Sequence, residues 1–426
     1  MESSRPFAGI EVVEFGQFIA VPFAAQLLAE GGAHVIKIES LEGDPTRHLA
    51  PLAPGETRHF MSRNRGKHSL PLDLRHPRAR EIIDRLLARA DVVLTNFRPG
   101  LAAELGLDWA SLAPRHPRIV VGNVSAFGRR GPDARLAGMD MVVQARSGLM
   151  ASLGKLNDEG VPAAGEAPVA DYQCAMTLAF GVASALFRRE RTGRGGEIDL
   201  ALFMAALTLQ NNSLVRVDAV DGPVHAQALA RLAEMRAAGR TFGEQEDAMP
   251  TVRTPGMTNV YYRTYSTKDA AVAIACVSPG LQRTFIDTLG LTDDVHTGKV
   301  TGREALVRHY AALRERVEAV LASRTTEEWK VIFDARGVPA AGVKFALEML
   351  DDPQVTANGL VHDLQHGALG TVRVLAPPLG LDGGGFQPGA ATAPFASETR
   401  TILGELGFSA SEIDALVKEK ATRADR

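Results

Sequence analysis

The sequence predicts an α/β protein, built as a doubly wound parallel sheet with a second, smaller α+β domain. Three observations lead to this prediction. Strand patterns alternate with helical patterns in the first part of the chain, which is how parallel sheets are built. The 426 residues, 45% hydrophobic and 23% charged, are enough for a large core and two domains. Long polar stretches after residue 215 indicate a domain boundary.

The first strand–helix–strand unit occupies residues 9–39. Residues 9–16 (GIEVVEFG) and residues 34–39 (HVIKIE) have the short apolar runs of buried strands. Residues 22–32 (PFAAQLLAEGG) lie between them and have the pattern of a helix that begins at a proline and ends at glycines. This unit predicts two parallel strands.

The pattern repeats further along the chain. Residues 76–90 have helical apolar spacing, residues 91–97 (DVVLTNF) have a strand pattern, a short helix follows near Trp109, and residues 118–128 (RIVVGNVSAFG) predict another strand. The alternation indicates a Rossmann-like sheet, whose ligands bind beyond the carboxyl ends of its strands. The loops expected near a site are those after Phe15, Glu39, Phe97 and Ser125.

The chain divides into three predicted segments. Residues 1–215 form a large Rossmann-like domain, residues 216–335 form a small domain with its linkers, and residues 336–426 return to the large domain. The small domain is expected to begin with polar loops, at residues 217–227 and 239–256.

Three elements of the second half have clear patterns. Residues 192–210 predict a strand that leads into a buried helix, and residues 260–277 predict a hairpin-like pair of strands. Residues 409–419 (SASEIDALVKE) have the serine and glutamate of a capped helix start, so they predict a terminal helix.

Composition excludes several classes of function. A formal net charge of −3 offers no general attraction to nucleic acid or to an anionic membrane. Cys174 and Cys276 are far apart and form no CxxC pair, which favours a reducing cytoplasm. The amino terminus has no signal-peptide pattern, and the longest apolar run, residues 174–187, is too short to span a bilayer. We therefore expect a cytoplasmic protein.

Missing motifs narrow the chemistry further. The sequence has no GxxxxGK[ST] loop, no GxGxxG after the first strand, no HExxH and no GxSxG. A nicotinamide enzyme is not expected despite the sheet. The eleven histidines lack the spacing of metal ligands, so no metal site is predicted.

A cluster of basic residues lies within residues 62–77. Charge runs of this kind are usually solvated loops, but guanidinium groups and helix starts can also hold phosphates. Arg47 and Arg98 lie in loops at the same predicted edge, which favours a nucleotide-like anion. The members of the cluster are Arg63, Arg65, Lys67, His68 and Arg75.

Asp171 follows a run of small residues and precedes an apolar helix. It could be the N-cap of that helix, because aspartate is a favoured capping residue. It could also be a nucleophile, since helix-start amides would keep the carboxylate ionised and could stabilise an oxyanion on the carbonyl it attacks. The residues alone leave both roles open.

Several motifs in the same order resemble one known family, over nearly the whole chain. The chain is similar to the class III (family III) coenzyme A transferases, the group of formyl-CoA, carnitine-CoA and succinyl-CoA transferases that also includes α-methylacyl-CoA racemase. The motifs are GIEVVEFGQFIAVPFAAQLLAEGGAHVIKIE, GDPTR, NRGKHSLPLDL, ADVVLTNFRPG, GRRGPDARLAGMDMVVQARSGLM, VADYQCAMTLAFGVASAL and RTGRGGEIDLAL, with RGVPAAGV and LDDPQ near the end.

The resemblance implies roles for particular residues. Asp171 matches the family's aspartate nucleophile, and Asp140 falls where transferases carry an acidic or polar residue close to it. Coenzyme A is expected along the loop after Glu39 and along ten residues. These are Phe18, Ile19, Arg47, Leu72, Asp73, Leu74, Arg75, Asn96, Phe97 and Arg98.

The chain also departs from its relatives. Ser40 and Glu104 stand where some relatives have basic residues, so Arg47 or Arg98 is expected to replace those contacts. Formyl-CoA transferase has a glutamine where this chain has Ile19, and it has a glycine-rich lid that we do not find here. Formyl-CoA and oxalate are therefore not the expected substrates.

The implied activity is transfer of coenzyme A from an acyl-CoA donor to a carboxylic acid acceptor. Dicarboxylic acids are among the acceptors that the resemblance allows. The transfer would proceed through aspartyl anhydride and aspartyl-CoA thioester intermediates. No permanently bound cofactor or metal is expected, because coenzyme A is itself the substrate. The resemblance also implies an interlocked homodimer, or a heteromer with a paralogous subunit.

Two alternatives stay open from the sequence. An acyl-CoA racemase or epimerase needs two proton-transfer residues, and family racemases have histidine before the aspartate of an AGHD motif. This chain has AGMD at residues 137–140, and Met139 cannot accept a proton. The second alternative is a CoA-binding subunit of a hetero-oligomeric transferase, although the presence of Asp171 favours an active enzyme.

Overall fold

The computed structural model describes residues 5–249 and 260–425. The chain forms two compact units. The larger unit contains residues 1–218, 240–246 and 356–426, and the smaller unit contains residues 219–239 and 247–355.

A six-stranded parallel sheet forms the centre of the larger unit. Its strands are β1 (Glu11–Glu14), β2 (His34–Glu39), β3 (His68–Pro71), β4 (Val92–Thr95), β5 (Val120–Ser125) and β6 (Gly196–Ala201). The spatial order is β3-β2-β1-β4-β5-β6, and every neighbouring pair is parallel. This is the doubly wound order, and its direction reverses between β1 and β4. The predicted α/β fold is confirmed.

Ten helices lie along the larger unit up to residue 218. They are α1 (Ala20–Glu30), α2 (Arg58–Asn64), α3 (Pro77–Leu87), α4 (Leu101–Glu104), α5 (Trp109–Leu112), α6 (Asp140–Ser147), α7 (Leu149–Ser152), α8 (Val169–Thr192), α9 (Leu202–Thr208) and α10 (Asn211–Leu214), with a 3₁₀ turn at Pro45–His48.

The sheet is buried on both faces because successive strand residues point to opposite sides. Val12 packs in the core that contains α1 and α8, whereas its neighbour Val13 packs in the core that contains α3. Val92 and Val93 divide in the same way. The two cores fix the strand ends, so the loops that follow the strands meet at one edge.

The first unit follows its sequence signals closely. The predicted strand at residues 34–39 is β2, and Gly31 and Gly32 end the preceding helix, Gly32 with a left-handed φ of 100°. The basic stretch at residues 62–77 is different. It contains part of α2, all of β3 and the start of α3, so it is an integral part of the sheet and not a solvated loop.

The smaller unit is an antiparallel sheet covered by helices. Its strands β7 (Tyr262–Ser266), β8 (Ala271–Ala275) and β9 (Ala340–Gly342) lie in that order, which confirms the predicted hairpin. Its helices and turn are α11 (Asp218–Ala237), α13 (Pro279–Thr288), α14 (Arg303–Leu321), α15 (Thr326–Arg336), the 3₁₀ turn Ala346–Asp351 and the start of α16 (Pro353–Ala357). The intervening helix α12 (Phe242–Asp247) belongs to the larger unit except for its last residue.

Two sequence predictions about this region are wrong. The predicted boundary at residue 335 falls inside the smaller unit, because β9 pairs with β8 and holds the chain there as far as residue 355. Residues 217–227 are not a loop, since α11 continues through Pro223. Proline is its sixth residue, close to the helix start, and alanine-rich sequence follows. Of the predicted loop at residues 239–256, part is α12, and residues 250–256 lie outside the described residues.

From residue 356 onward the carboxyl-terminal segment belongs to the larger unit, whereas the predicted segment begins at residue 336. It forms the hairpin β10 (Val361–His366) and β11 (Gly370–Leu375), a 3₁₀ turn at Asp382–Gly384, and the helices α17 (Thr399–Glu405) and α18 (Ala410–Lys418). Leu403 and Leu416 are completely buried in the core beneath β1 and β4. A capping box between Ser409 and Glu412 begins α18, which confirms the predicted terminal helix.

Helix α8 is the one described helix long and apolar enough to cross a membrane by length and composition. Its residues Cys174, Leu178 and Val182 are buried in the core against the sheet. A core helix passes the same composition test, so this finding is weak evidence for a membrane span.

Candidate active site

Asp171 lies in the first turn of α8, and its side chain is not the helix cap. The N-cap position belongs to Pro168, and no side chain of that residue caps the helix. Asp171 is the third residue of the helix and only 8% exposed. The capping interpretation of Asp171 is therefore wrong.

The capping role belongs to Asp140, which comes from the start of α6. Its Oδ1 accepts hydrogen bonds from the backbone amides of Ala170 at 2.9 Å and Asp171 at 3.0 Å. Its Oδ2 accepts from the amide nitrogen of Gln144, a completely buried side chain. Asp140 thus satisfies two helix-start donors of α8 from a distant part of the sequence.

The pKa of Asp171 is raised to about 7. Burial is the main cause, because a buried carboxylate loses its hydration, and the negative charge of Asp140 adds to the effect. The positive charge of Arg63 acts in the opposite direction. Contrary to the expectation from the sequence, the helix start does not keep this carboxyl group strongly acidic. A group with this pKa exchanges its proton near neutral pH.

Arg63 lies in α2 and faces the start of α8. Its Nε donates to the hydroxyl of Tyr172 at 3.4 Å, and one terminal nitrogen donates to the carbonyl of His59 at 3.1 Å. The Tyr172 ring is held edge-on by Phe23, with 5.0 Å between ring centroids. The contacts place a guanidinium on the Asp171 side of the helix.

Most of the predicted basic cluster is paired within the protein. Arg65 pairs with Glu30 at 2.6 Å, Lys67 with Glu14 at 2.7 Å, and His68 with Glu398 at 2.7 Å. These pairs are consistent with structural roles. Of the five residues in the predicted cluster, only Arg75 lines one of the cavities described below as sites for a ligand.

Arg47 is not placed to bind a ligand, contrary to the prediction. It is 1% exposed, and its guanidinium bonds to both carboxylate oxygens of Glu39, at 2.8 and 2.9 Å. It also pairs with Glu56 at 3.2 Å and lies 3.5 Å above the centre of the Phe60 ring. A phosphate could reach it only if these contacts were broken.

A cavity of about 390 Å³ lies at the carboxyl ends of β1, β4 and β5, and we call it the Asp171 cavity because that residue lines it. The loop after β1 contributes Phe18, a non-glycine residue with a left-handed φ of 64°. Such backbone is strained and is common at functional sites. The loop after β5 contributes Met139, which is half exposed.

A second cavity, of about 520 Å³, lies at the carboxyl ends of β2 and β3, and we call it the Arg75 cavity. Its lining includes Ser40 and residues 72–75, and it shares four residues with the Asp171 cavity. A long ligand could therefore extend from one cavity to the other. The shared residues are Gln17, Asn96, Phe97 and Arg98.

Where the two cavities meet, the Asn96 side chain makes two hydrogen bonds to the backbone of Gln17. Its Oδ1 accepts from the backbone amide of Gln17 at 2.9 Å, and its Nδ2 donates to the carbonyl of Gln17 at 2.8 Å. The two bonds hold the loop next to the strained Phe18. The Asn96 side chain is thus committed to the protein backbone.

Most of the sequence-predicted residues lie together. Phe18 and Asp171 line one cavity, residues 72–75 line the other, and residues 96–98 line both. Ile19 is the N-cap residue of α1 and lines neither, and Arg47 lies in the interior. Ser40 does line the Arg75 cavity, where some relatives have a basic residue.

The residues of the Asp171 cavity that were not predicted as site residues include two with long polar side chains, Gln17 and Arg135. Arg135 lies in the long loop after β5. A signal was available, because the loop after Ser125 was expected at the ligand edge. That loop carries several arginines, and the sequence does not distinguish the one that lines the cavity from the others.

Together, the fold and the cavities define an α/β protein with a ligand crevice at the reversal point of its sheet and a buried carboxyl group inside it. The model of CoA-transferase family III matches residues 7–396. The chain belongs to this family, and it is a CoA-transferase.

Curated relatives and solved structures agree with this assignment. Cinnamoyl-CoA:phenyllactate CoA-transferase of Clostridium sporogenes is 27% identical, over 98% of this chain and 97% of its own length. Succinate–glutarate CoA-transferase of Agrobacterium fabrum is 30% identical, over 84% of this chain and 85% of its own. The crystal structure of a CAIB/BAIF family protein from Brucella suis has a TM-score of 0.71 at 29% identity, over 94% of this chain and 99% of that chain.

Proposed function

We propose that the protein transfers coenzyme A from an acyl-CoA thioester to a carboxylic acid, with Asp171 as the nucleophile. The observation that carries this proposal is a buried carboxyl group in a cavity that adjoins a second cavity of about 520 Å³, which is lined by Arg75 and Arg98. The family supplies the substrate class, because its members use CoA thioesters.

The proposed chemistry begins when the Asp171 carboxylate attacks the thioester carbonyl. The C–S bond breaks, CoA thiolate leaves, and an acyl-aspartyl anhydride remains. The thiolate then attacks the aspartyl carbonyl, which releases the donor acid and gives an enzyme thioester. The acceptor carboxylate displaces the thiolate to form a second anhydride, and thiolate attack on the acceptor carbonyl frees Asp171.

Asp140 assists in this scheme without forming a bond to the substrate. Its hydrogen bonds to the amides of Ala170 and Asp171 orient the helix start, and its charge favours the protonated form of Asp171. Arg63 favours the ionised form. The nucleophile must be ionised to attack, so these two neighbours set the pH range of the reaction.

Coenzyme A is proposed to lie with its nucleotide end in the Arg75 cavity and its thioester in the Asp171 cavity. Arg75 and Arg98 are the proposed phosphate ligands, because guanidinium groups bind phosphate through paired hydrogen bonds. The carboxylic acid acceptor is proposed to be a dicarboxylate. The succinate–glutarate transferase among the relatives supports this class.

The protein is proposed to act as an interlocked dimer in the cytoplasm. Large apolar side chains on α8 and α9 are open to solvent in the single chain, among them Phe180 at 74% exposed, Phe187 and Met204. Such a patch favours burial against a second copy. Cys174 and Cys276 are both free thiols, as a reducing compartment requires.

An activity screen tests the proposal. Succinyl-CoA and acetyl-CoA are offered as donors to a panel of carboxylic acids, and new acyl-CoA products are identified by mass spectrometry. We expect a new thioester with at least one acid and none with Asp171→Asn. Hydrolysis alone, without any acceptor-dependent thioester, would contradict transfer.

A further inference from the structure

A third cavity adjoins the Asp171 cavity on the side of β5 and β6. Its volume is about 420 Å³, and we call it the Trp109 cavity after one of its lining residues. Arg98, Val124 and Arg135 line both it and the Asp171 cavity. Space therefore continues from Asp171 away from the proposed nucleotide end.

The wall of the Trp109 cavity is largely apolar, and the charged residues at its edge include an arginine that is paired with two carboxylates. Trp109, Val124 and Pro99 contribute to the wall. At the edge, Arg129 bonds to the carboxylates of Glu197 and Asp199, the latter at 2.9 Å. That arginine is already compensated, so it offers little attraction to another anion.

The two arginines at the junction of the cavities are different. Within residues 5–249 and 260–425, the side chains of Arg98 and Arg135 have no hydrogen-bond or ion-pair partner. Arg135 lines the Asp171 and Trp109 cavities but not the Arg75 cavity. Its positive charge is therefore available on the acid side of the site, away from the nucleotide end.

We infer that Arg135 binds the distal carboxylate of a short dicarboxylic acid whose other carboxylate reaches Asp171, while Arg98 serves the phosphates of coenzyme A. The inference rests on the proposed function. Guanidinium and carboxylate groups match in charge and in geometry. An apolar acyl tail would instead cover the unpaired guanidinium group of Arg135, which costs free energy. Arg135 is thus a residue that selects dicarboxylates over monocarboxylates.

The test compares acids of equal length, succinate with butyrate and glutarate with valerate, as acceptors from one donor. For wild type we expect a higher kcat/KM with the dicarboxylate. Arg135→Gln should lower the ratio of the two kcat/KM values by about 10- to 100-fold, the usual range for one charge-assisted contact. Arg135→Lys should restore part of the ratio, because it keeps the charge but loses the paired geometry.

Arg130→Gln is the matched control, since Arg130 is an exposed arginine of the same loop that lines none of the three cavities. In Arg130→Gln, the ratio of kcat/KM for the dicarboxylate to kcat/KM for the monocarboxylate should equal that of wild type. An unchanged ratio in Arg135→Gln, or butyrate used as well as succinate by wild type, would overturn the inference while leaving transfer itself intact.

A binding measurement separates this inference from the proposed function. Titration calorimetry of succinate into the full-length protein with CoA present requires no turnover. Arg135→Gln should raise the Kd for succinate by about tenfold or more. Equal succinate binding by wild type and Arg135→Gln would overturn the inference. Transfer to no acid at all, with Arg135-dependent succinate binding, would contradict the proposed function alone.

Discussion

Glu39 and Asp171 are two carboxyl groups with similar burial, 4% and 8% exposed, and opposite pKa shifts. Burial alone would raise the pKa of both. For Glu39, the hydrogen bonds and charge of Arg47 more than offset it and hold the pKa below its usual value. For Asp171, the charge of Asp140 adds to burial, and the pKa rises to about 7.

The charged residues around Glu39 and around Asp171 also differ. Lys37 of β2 pairs with Glu14 of β1 at 3.0 Å and with Asp44 at 3.0 Å, and Lys67 pairs with Glu14 at 2.7 Å. Next to Asp171, the charge of Asp140 raises the pKa of the carboxyl group more than the charge of Arg63 lowers it. Buried charges that pair with each other belong to the fold, because removing one partner leaves the other charge buried and unpaired. A buried carboxyl group with a raised pKa in a cavity instead marks a candidate site for a ligand or a reaction.

The largest effect should follow from Asp171→Asn. We expect CoA transfer to fall by at least about a thousandfold, because a neutral amide cannot attack the thioester. Rates are compared at saturating donor and acceptor, with CoA binding as the control for an intact site. More than a few per cent of wild-type activity in Asp171→Asn would contradict the role of Asp171.

The same variant should not lose stability, because Asp171 does not cap the helix. A raised native pKa means that the folded protein holds the Asp171 proton more tightly than the unfolded chain. Wild-type stability therefore falls, relative to the variant, as pH rises from about 4 to about 7. At pH 8 the variant should be more stable by about 1–4 kcal/mol. Urea unfolding of both proteins at pH 5 and pH 8 measures this difference.

Unlike Asp171→Asn, Arg47→Met should lower the free energy of unfolding, by about 3–5 kcal/mol, because it leaves Glu39 buried without its partner. Affinity for CoA should be unchanged in the folded fraction. Urea unfolding and CoA titration on the same preparation measure both quantities. If Arg47→Met is as stable as wild type but binds CoA weakly, Arg47 is a CoA ligand, as the sequence predicted.

Arg75→Met is the matched variant at the ligand edge. Arg75 is exposed, so its loss should not change stability. CoA binding should weaken by about 1–3 kcal/mol if its guanidinium holds a phosphate. Titration with dephospho-CoA identifies the phosphate, since a 3′-phosphate contact predicts a smaller loss for that ligand. Unchanged binding of both ligands would exclude Arg75 from the site.

The smallest effect should follow from Asp140→Asn, which keeps an oxygen for the amides of Ala170 and Asp171 but removes a charge. The pH at which transfer reaches half its maximum should fall below about 7, because the like charge that raises the pKa of Asp171 is gone. Gln144 can accept the new amide by turning its side chain, as its Oε1 has no partner among the described residues.

Arg63→Gln provides the converse of that experiment. Removing its positive charge should move the midpoint of the pH profile upward. Equal midpoints in wild type and both variants would show that Asp171 does not control the pH dependence.

The fold was predictable where local signals were strong. Alternating strand and helix patterns, with glycines 31 and 32 at a helix end, were sufficient for the parallel sheet and its ligand edge. The sequence could not place Arg47 correctly, because an arginine in a loop looks the same whether it faces solvent or two buried glutamates. Nor could it separate Asp140 from Asp171, since the cap of α8 comes from thirty residues away.

In the proposed mechanism, Asp171 becomes covalently activated during turnover. Hydroxylamine added with donor and acceptor should convert an aspartyl anhydride or thioester to a hydroxamate, which mass spectrometry can locate. Trypsin separates the two aspartates, with Asp171 in residues 156–188 and Asp140 in residues 136–146. We predict a turnover-dependent label at Asp171 in wild type and none in Asp171→Asn. A label confined to residues 136–146, or continuing transfer with no labelled peptide, would contradict the account.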